Sequence, residues 1–227
     1  MLFEDALAKI KGLNEELMNK AQKRLDSLTK PLGSLGRLED IARRIVGITG
    51  EMFPKVDNKA VIIMCSDNGV VEEGVSQTSK DVTSSVTRNF MKGITGINVL
   101  SRHAGSSIVV VDIGVDDDLD VDGILNRKIR KGTWNIAKGP AMTREEAVKA
   151  IEVGIETVRE LKEKGVNLLG TGEMGIGNTT TSSAVAAVLT GGEVERLVGR
   201  GAGLTTEGLK NKINVVKRAI KVNNPDP

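Results

Sequence analysis

Tyrosine is absent from this chain of 227 residues, and tryptophan, histidine and cysteine occur once each, as Trp134, His103 and Cys65. With only three phenylalanines besides, there are too few rings to build stacking platforms for single-stranded nucleic acid. One histidine and one cysteine cannot assemble a His/Cys zinc site within a chain. A lone cysteine also excludes an intrachain disulfide, which fits a reducing, cytoplasmic compartment. Any Ser-His-Asp triad would have to use His103, which sits at the end of an expected helix, where a histidine usually caps or faces solvent. Charge of one sign is missing too: 32 basic against 30 acidic residues leave +2, no electrostatic case for nucleic acid or a membrane surface. No apolar run approaches the roughly 18 residues of a spanning helix, and residues 1–20 are amphipathic rather than signal-like. What the chain has in excess is glycine, 26 residues. Its chemistry is therefore expected to rest on backbone amides, carboxylates, carboxamides and lysines.

Spacing divides the chain into two patterns. Residues 2–25 read as a helix, with Leu2, Ala6, Ile10, Leu13 and Leu17 recurring every three or four positions. A loop punctuated by Pro31, Gly33 and Gly36 follows. Ser34 is placed to cap a second helix over about 35–50, with Leu38, Ile41, Ile45 and Ile48 on one face. After Pro54 strands and helices alternate. Residues 60–65, 107–113 and 166–170 are apolar runs of the kind buried on both faces of a sheet. Helices are expected over 79–104, 143–164, 178–190 and 205–222. This predicts an α/β fold, a mostly parallel Rossmann-like sheet flanked by helices with a small N-terminal helical subdomain, its ligands at the carboxyl ends of the strands. The last residues, Val222 to Pro227, end on turn formers with no closing element, the pattern of a chain cut at a loop.

The most informative stretch is Gly172-Glu-Met-Gly-Ile-Gly-Asn-Thr-Thr180, after a strand and before a helix rich in Ala and Ser. Its glycines let backbone approach a ligand, and free N–H groups at a helix start attract an anion such as phosphate. It lacks the Gly-Lys-Ser/Thr of a Walker loop and the Rossmann glycine spacing; a plain turn capped by Asn178 or Thr179 is the alternative. Glu173 argues for something specific, either a bond to a ribose hydroxyl or stabilisation of positive charge at a sugar carbon. A second glycine turn, Val198-Gly-Arg-Gly-Ala-Gly203, precedes a helix in which Lys212 either reaches the same phosphate or is solvated. Ser66-Asp-Asn-Gly69 follows the first strand. Asp118, Asp120, Asp122 and Gly123 mimic an EF-hand loop, but the twelfth position is Ile129, where a bidentate Glu is required; no metal site is expected.

Together GEMGIGNTT (172–180), LTKPLGSLGRLE (28–39), GTWNIAKGPAMT (132–143), CSDNGVVEEGVSQ (65–77) and VGRGAGL (198–204) resemble the nicotinate-nucleotide–dimethylbenzimidazole phosphoribosyltransferase family of cobalamin synthesis. The resemblance implies residues 1–55 as the N-terminal part of a small helical domain and 56–227 as the α/β nucleotide-binding domain of a homodimer. It implies transfer of ribose 5-phosphate from nicotinate mononucleotide to 5,6-dimethylbenzimidazole or a related lower-ligand base, without metal or cofactor. Carried over by position, Glu173 lies near the ribose and departing nicotinate. Gly175, Ile176 and Gly177, with Asn178 and Thr179, line the ribose-phosphate site; Gly201, Gly203 and Lys212 surround the phosphate; Ser66, Asp67 and Met174 border the base. Two departures stand out: Asp67-Asn68-Gly69 where many members have Asp-His-Gly, and Gln77-Thr-Ser-Lys80 where many have an aromatic followed by Pro-Gln. The family continues past Pro227, and its catalytic-base glutamate lies in that continuation. The expectation is thus a phosphoribosyltransferase, with a non-catalytic nucleotide-binding remnant as the alternative.

Overall fold

The first helix expected from the sequence is two helices, α1 over Leu2–Ala8 and α2 over Glu15–Asp26. Asn14 accounts for the break: its side chain accepts from Leu17 N at 3.0 Å and caps α2, which a continuous helix would forbid. Likewise α3, Arg37–Thr49, starts from Gly36 and not from Ser34. Glu39 makes the difference. Its carboxylate is buried and accepts from Lys30 Nζ at 2.8 Å and from Leu35 N at 3.1 Å, so the loop is wound around the helix's own first turn. The Lys30 bond holds this carboxyl below its usual range. Gly47 lets α3 close on α2, since a Cβ there would stand 2.6 Å from the Met18 side chain.

These elements form one compact unit of the computed structural model, Met1–Asp57; the other runs from Asn58 onward. The structure describes residues 1–226; of the expected terminal turn, Pro227 lies outside them. No described helix is long and apolar enough to cross a membrane.

In the second unit four parallel strands, β1 (Lys59–Ser66), β2 (Ser106–Gly114), β3 (Leu125–Asn126) and β4 (Leu168–Met174), lie in the order β3-β2-β1-β4. Side chains alternate across the sheet. Ile63, Cys65 and Val110 pack with Phe90 on one face, and Ile62 and Val111 pack with Val153 and Leu161 on the other. Phe90 belongs to α4 (Asp81–Met91), and the other two to α6 (Arg144–Glu163). The single helix expected over 79–104 is interrupted: α4 stops before Gly93, whose φ is +72°, and α5 (Gly96–Ala104) restarts with a capping box between Thr95 and Asn98. Asp112, at the end of β2, is buried and fully engaged, by Gly114 N, Val115 N and Lys128 Nζ at 3.1, 2.9 and 3.0 Å. That engagement suits a buried carboxylate.

Strand β4 runs farther than its apolar residues suggest. Glu173 and Met174 pair with Met64 and Cys65 of β1, so they belong to the strand and not to the loop after it. Helices α7 (Asn178–Thr190), α8 (Val194–Leu197) and α9 (Thr206–Asn223) then pack together through Ala184, Val198 and Val216.

Candidate functional site

The loop between β4 and α7 crosses the carboxyl end of β1 at minimum distance. A Cβ at Gly175 would lie 2.2 Å from Ser66 O, a contact with backbone that cannot yield. Gly177, at φ +88°, is the N-cap of α7 and supplies no side-chain cap; neither Asn178 nor Thr179 takes that place. No side chain caps the first turn of α7; Asn178 N and Thr180 N are spent on Gly175 O and Gly177 O, which leaves Thr179 N between them, and the helix dipole adds its positive end there.

Lys212 reaches the same point from α9. Thr205 caps that helix by accepting from Gly208 N at 3.1 Å, and Lys212 follows in its second turn. The lysine is 1% exposed, so the solvated reading of this residue fails. Its Nζ donates to Thr179 Oγ1 at 2.6 Å and to Gly199 O at 3.2 Å. Both acceptors are neutral, and burial pushes the ammonium below the usual lysine pKa. The turn that holds it is shaped by Gly201, φ +56°, where a Cβ would stand 3.0 Å from Thr179 Oγ1 and 3.3 Å from Lys212 Nζ. Arg200 closes this turn by donating to Leu204 O and Thr206 Oγ1 at 2.8 and 3.2 Å.

A cavity of about 170 Å³ brings these parts together. Met174, Gly175, Ile176, Gly177, Asn178, Thr179, Gly201 and Lys212 all line it. Of the other expected site residues, Gly203 shapes the turn beside the cavity at φ +93° without lining it. Glu173 does not line it but a separate hollow with Phe90, Thr95 and Thr171; it accepts from Asn178 Nδ2 of the cavity wall, and partial burial raises its carboxyl pKa while that bond opposes the rise. Ser66 and Asp67 do not line the cavity either. Ser66 Oγ donates to Asp67 O and Gly114 O, each at 3.3 Å. Asp67 Oδ2 accepts from Asp116 N at 2.8 Å, and burial pushes this carboxyl up. Asp67 lines a separate polar hollow with Lys80, Ser84 and Asp116.

Sequence reasoning missed the remaining wall of the cavity, Val75, Ser76, Gln77, Ala202 and Leu204. It had singled out the two segments that carry them, without a signal for which side chains turn inward. The segment 132–143 proves to be scaffolding. Asn135 Nδ2 donates to Glu72 and Glu73 at 2.5 and 2.6 Å, and Asn211 of α9 donates to Glu73 O at 2.8 Å. Arg218 of α9 also pairs with Glu73. That network fixes the helix carrying Lys212 against the turn after β1. Among the described residues no group of His, Cys, Asp and Glu is arranged to hold a metal.

Comparison with known proteins bears on the fold and the family. A family model described as phosphoribosyltransferase matches residues 10–227. The nicotinate-nucleotide–dimethylbenzimidazole phosphoribosyltransferases of Ruminiclostridium cellulolyticum and Acetivibrio thermocellus are each 70% identical, over all of this chain and 64% of their own length. The crystal structure of CobT from Thermus thermophilus superposes with a TM-score of 0.89 at 42% identity, over 93% of this chain and 63% of that one. The chain thus spans about 64% of the length of the curated relatives it matches. On a family match over residues 10–227 and a shared fold at 42% identity, the chain belongs to this phosphoribosyltransferase family.

Proposed function

We propose that this chain binds the phosphoribosyl group of a mononucleotide and serves a transferase that moves ribose 5-phosphate from nicotinate mononucleotide to 5,6-dimethylbenzimidazole or a related base, releasing nicotinate. The observation that carries this reading is Lys212: a buried ammonium with only neutral partners, facing the uncapped start of α7 across one small cavity. Burying an unpaired cation is unfavourable unless an anion completes the site. The size suits a phosphate with part of its ribose. Charge-assisted bonds from Lys212 and Thr179 N at the start of α7 would hold the phosphate. Glu173, joined to the cavity wall through Asn178, would then steady positive charge at the anomeric carbon as the bond to nicotinate breaks. Proton removal from the incoming base needs a second group, and no carboxylate lines the cavity itself. This favours, as a second reading, a chain that holds the nucleotide without turnover. We further infer a homodimer, which the exposed Val185 and Leu189 on α7 support.

Nicotinate release from nicotinate mononucleotide, measured with and without 5,6-dimethylbenzimidazole, separates the readings. Base-dependent release establishes transfer; binding without release establishes the second reading. Glu173→Gln is expected to abolish most release while leaving phosphate affinity nearly unchanged. Its pH profile should lose the acid limb, which in the native chain sets in above the ordinary glutamate range because the carboxyl pKa is raised. Unaltered release from the variant would remove Glu173 from the chemistry.

A further inference from the structure

Both peptide groups of Ile176 are held by side chains from elsewhere in the chain. Ile176 O accepts from Asn68 Nδ2 at 3.1 Å, and Ile176 N donates to Thr83 Oγ1 at 3.1 Å. The two partners lie 108 and 93 residues away. Asn68 sits in the turn after β1, and Thr83 is in the first turn of α4, with no exposed surface. Neither lines the cavity. We propose that Asn68 and Thr83 are positioning residues that clamp the anion loop in its binding shape before a ligand arrives.

Three observations lead there. First, the Ile176 N–H, which in a free loop would be available to a phosphate, is spent on Thr83, and Asn178 N and Thr180 N are spent on Gly175 O and Gly177 O; the anion must then be met by Lys212 and by the amides that remain. Second, Gly175 rests on Ser66 O so closely that the loop cannot sink farther, and Gly177 is boxed by Val71; the clamp closes the one remaining direction, lifting away from β1. Third, the clamp ties the loop to α4 as well as to the β1 turn, so the start of α7 is fixed to two elements that themselves contact the sheet. A loop ordered in advance does not have its ordering entropy taken out of the binding energy.

The inference rests on reading the cavity as an anion site, and two measurements on the whole chain keep the two claims distinct. Calorimetric titration with inorganic phosphate and with nicotinate mononucleotide is expected to show about ten-fold weaker binding in Thr83→Val, which is isosteric but offers no acceptor, and recovery to within about two-fold in Thr83→Ser. Val153→Ala, in the core on the opposite face of the sheet, serves as the control for destabilisation alone and should bind as the native chain does. Amide hydrogen exchange at Ile176 is read in parallel: slow in the native chain and in Thr83→Ser, fast in Thr83→Val and in Asn68→Ala. Native-like affinity in Thr83→Val overturns the clamp. So does unchanged Ile176 exchange in Thr83→Val and Asn68→Ala, even if the native chain binds neither ligand and the anion site itself is refuted. Should Thr83→Val fail to fold, Asn68→Ala carries both measurements.

Discussion

Burying an ammonium beside a hydroxyl and a carbonyl costs the free protein stability, and Lys212 is the residue at which this chain accepts that cost. The sign follows from its lowered pKa. In the unfolded chain the lysine keeps its proton to higher pH than in the native one, so stability rises as pH climbs through the folded value toward the ordinary lysine range. Anion binding reverses the preference, and affinity for phosphate should fall over the same alkaline interval. Lys212→Met keeps the volume and removes the charge. It is expected to raise stability by about 1 kcal/mol, or roughly 2–4 °C in Tm, while weakening phosphate binding by about 1.5–3 kcal/mol. Thermal melts and calorimetry on the two proteins check both halves. A variant that is less stable, or that binds phosphate as well as before, would return Lys212 to a purely structural role. From sequence alone this lysine could not be told from a solvated one, because burial on α9 comes from the turn at Gly201 folding over it and not from any spacing along the helix.

At the scale of elements, the sequence was most readable where one kind of signal acted alone. β1 and β2 declared themselves by continuous apolar runs, and α6 and α7 by a cap or a glycine at each end; the two-residue β3 carries no such run and went unread. Legibility failed where two signals competed. Apolar periodicity over 2–25 and 79–104 masked the stop-and-start signals at Asn14 and at Gly93-Ile-Thr95, which win because a side-chain cap removes orphan amides that periodicity leaves unpaired. In β4, pairing with β1 overrides the poor strand propensity of Gly170 and Gly172. Two glycines of the anion loop were legible as special, but not for which reason. Gly175 is required by crowding and Gly177 by its backbone angle as well. Gly175→Ala is therefore expected to displace the loop from Ser66 and to cost about 2–4 kcal/mol of stability together with phosphate binding. Ala at Gly139, where a Cβ meets nothing within 4 Å, should change neither. Equal melts for the two variants would show that the loop has room after all.

At the scale of the molecule, the α/β architecture and the family could be read from motifs in collinear order, whereas the exposed apolar surface could not. The second half of α7, Ala184 to Leu189, is apolar on every side, yet only one side packs on α8 and α9. Val185 and Leu189 remain 53% and 67% exposed beside a hollow of about 240 Å³ that they share with Ile136, Ala184 and Ile220. The outer edge of β4 pairs with no other strand among the described residues. Contiguous apolar surface and an unpaired edge both favour association. Light scattering after size exclusion should show the chain self-associating as concentration rises, and Leu189→Glu should shift it toward monomer; a monodisperse monomer throughout would refute the homodimer.

Cys65 lies near the carboxyl end of β1, between β2 and β4, with no exposed surface and its thiol pushed up to about 11 by burial. The only thiol in the chain is thus sealed at the structural centre, a few residues from the anion loop. An alkylating reagent can meet it only when the middle strand comes free, so the rate of labelling becomes a clock for sheet opening. Slowing of that clock by phosphate would report occupancy of the cavity from a residue that never touches the ligand.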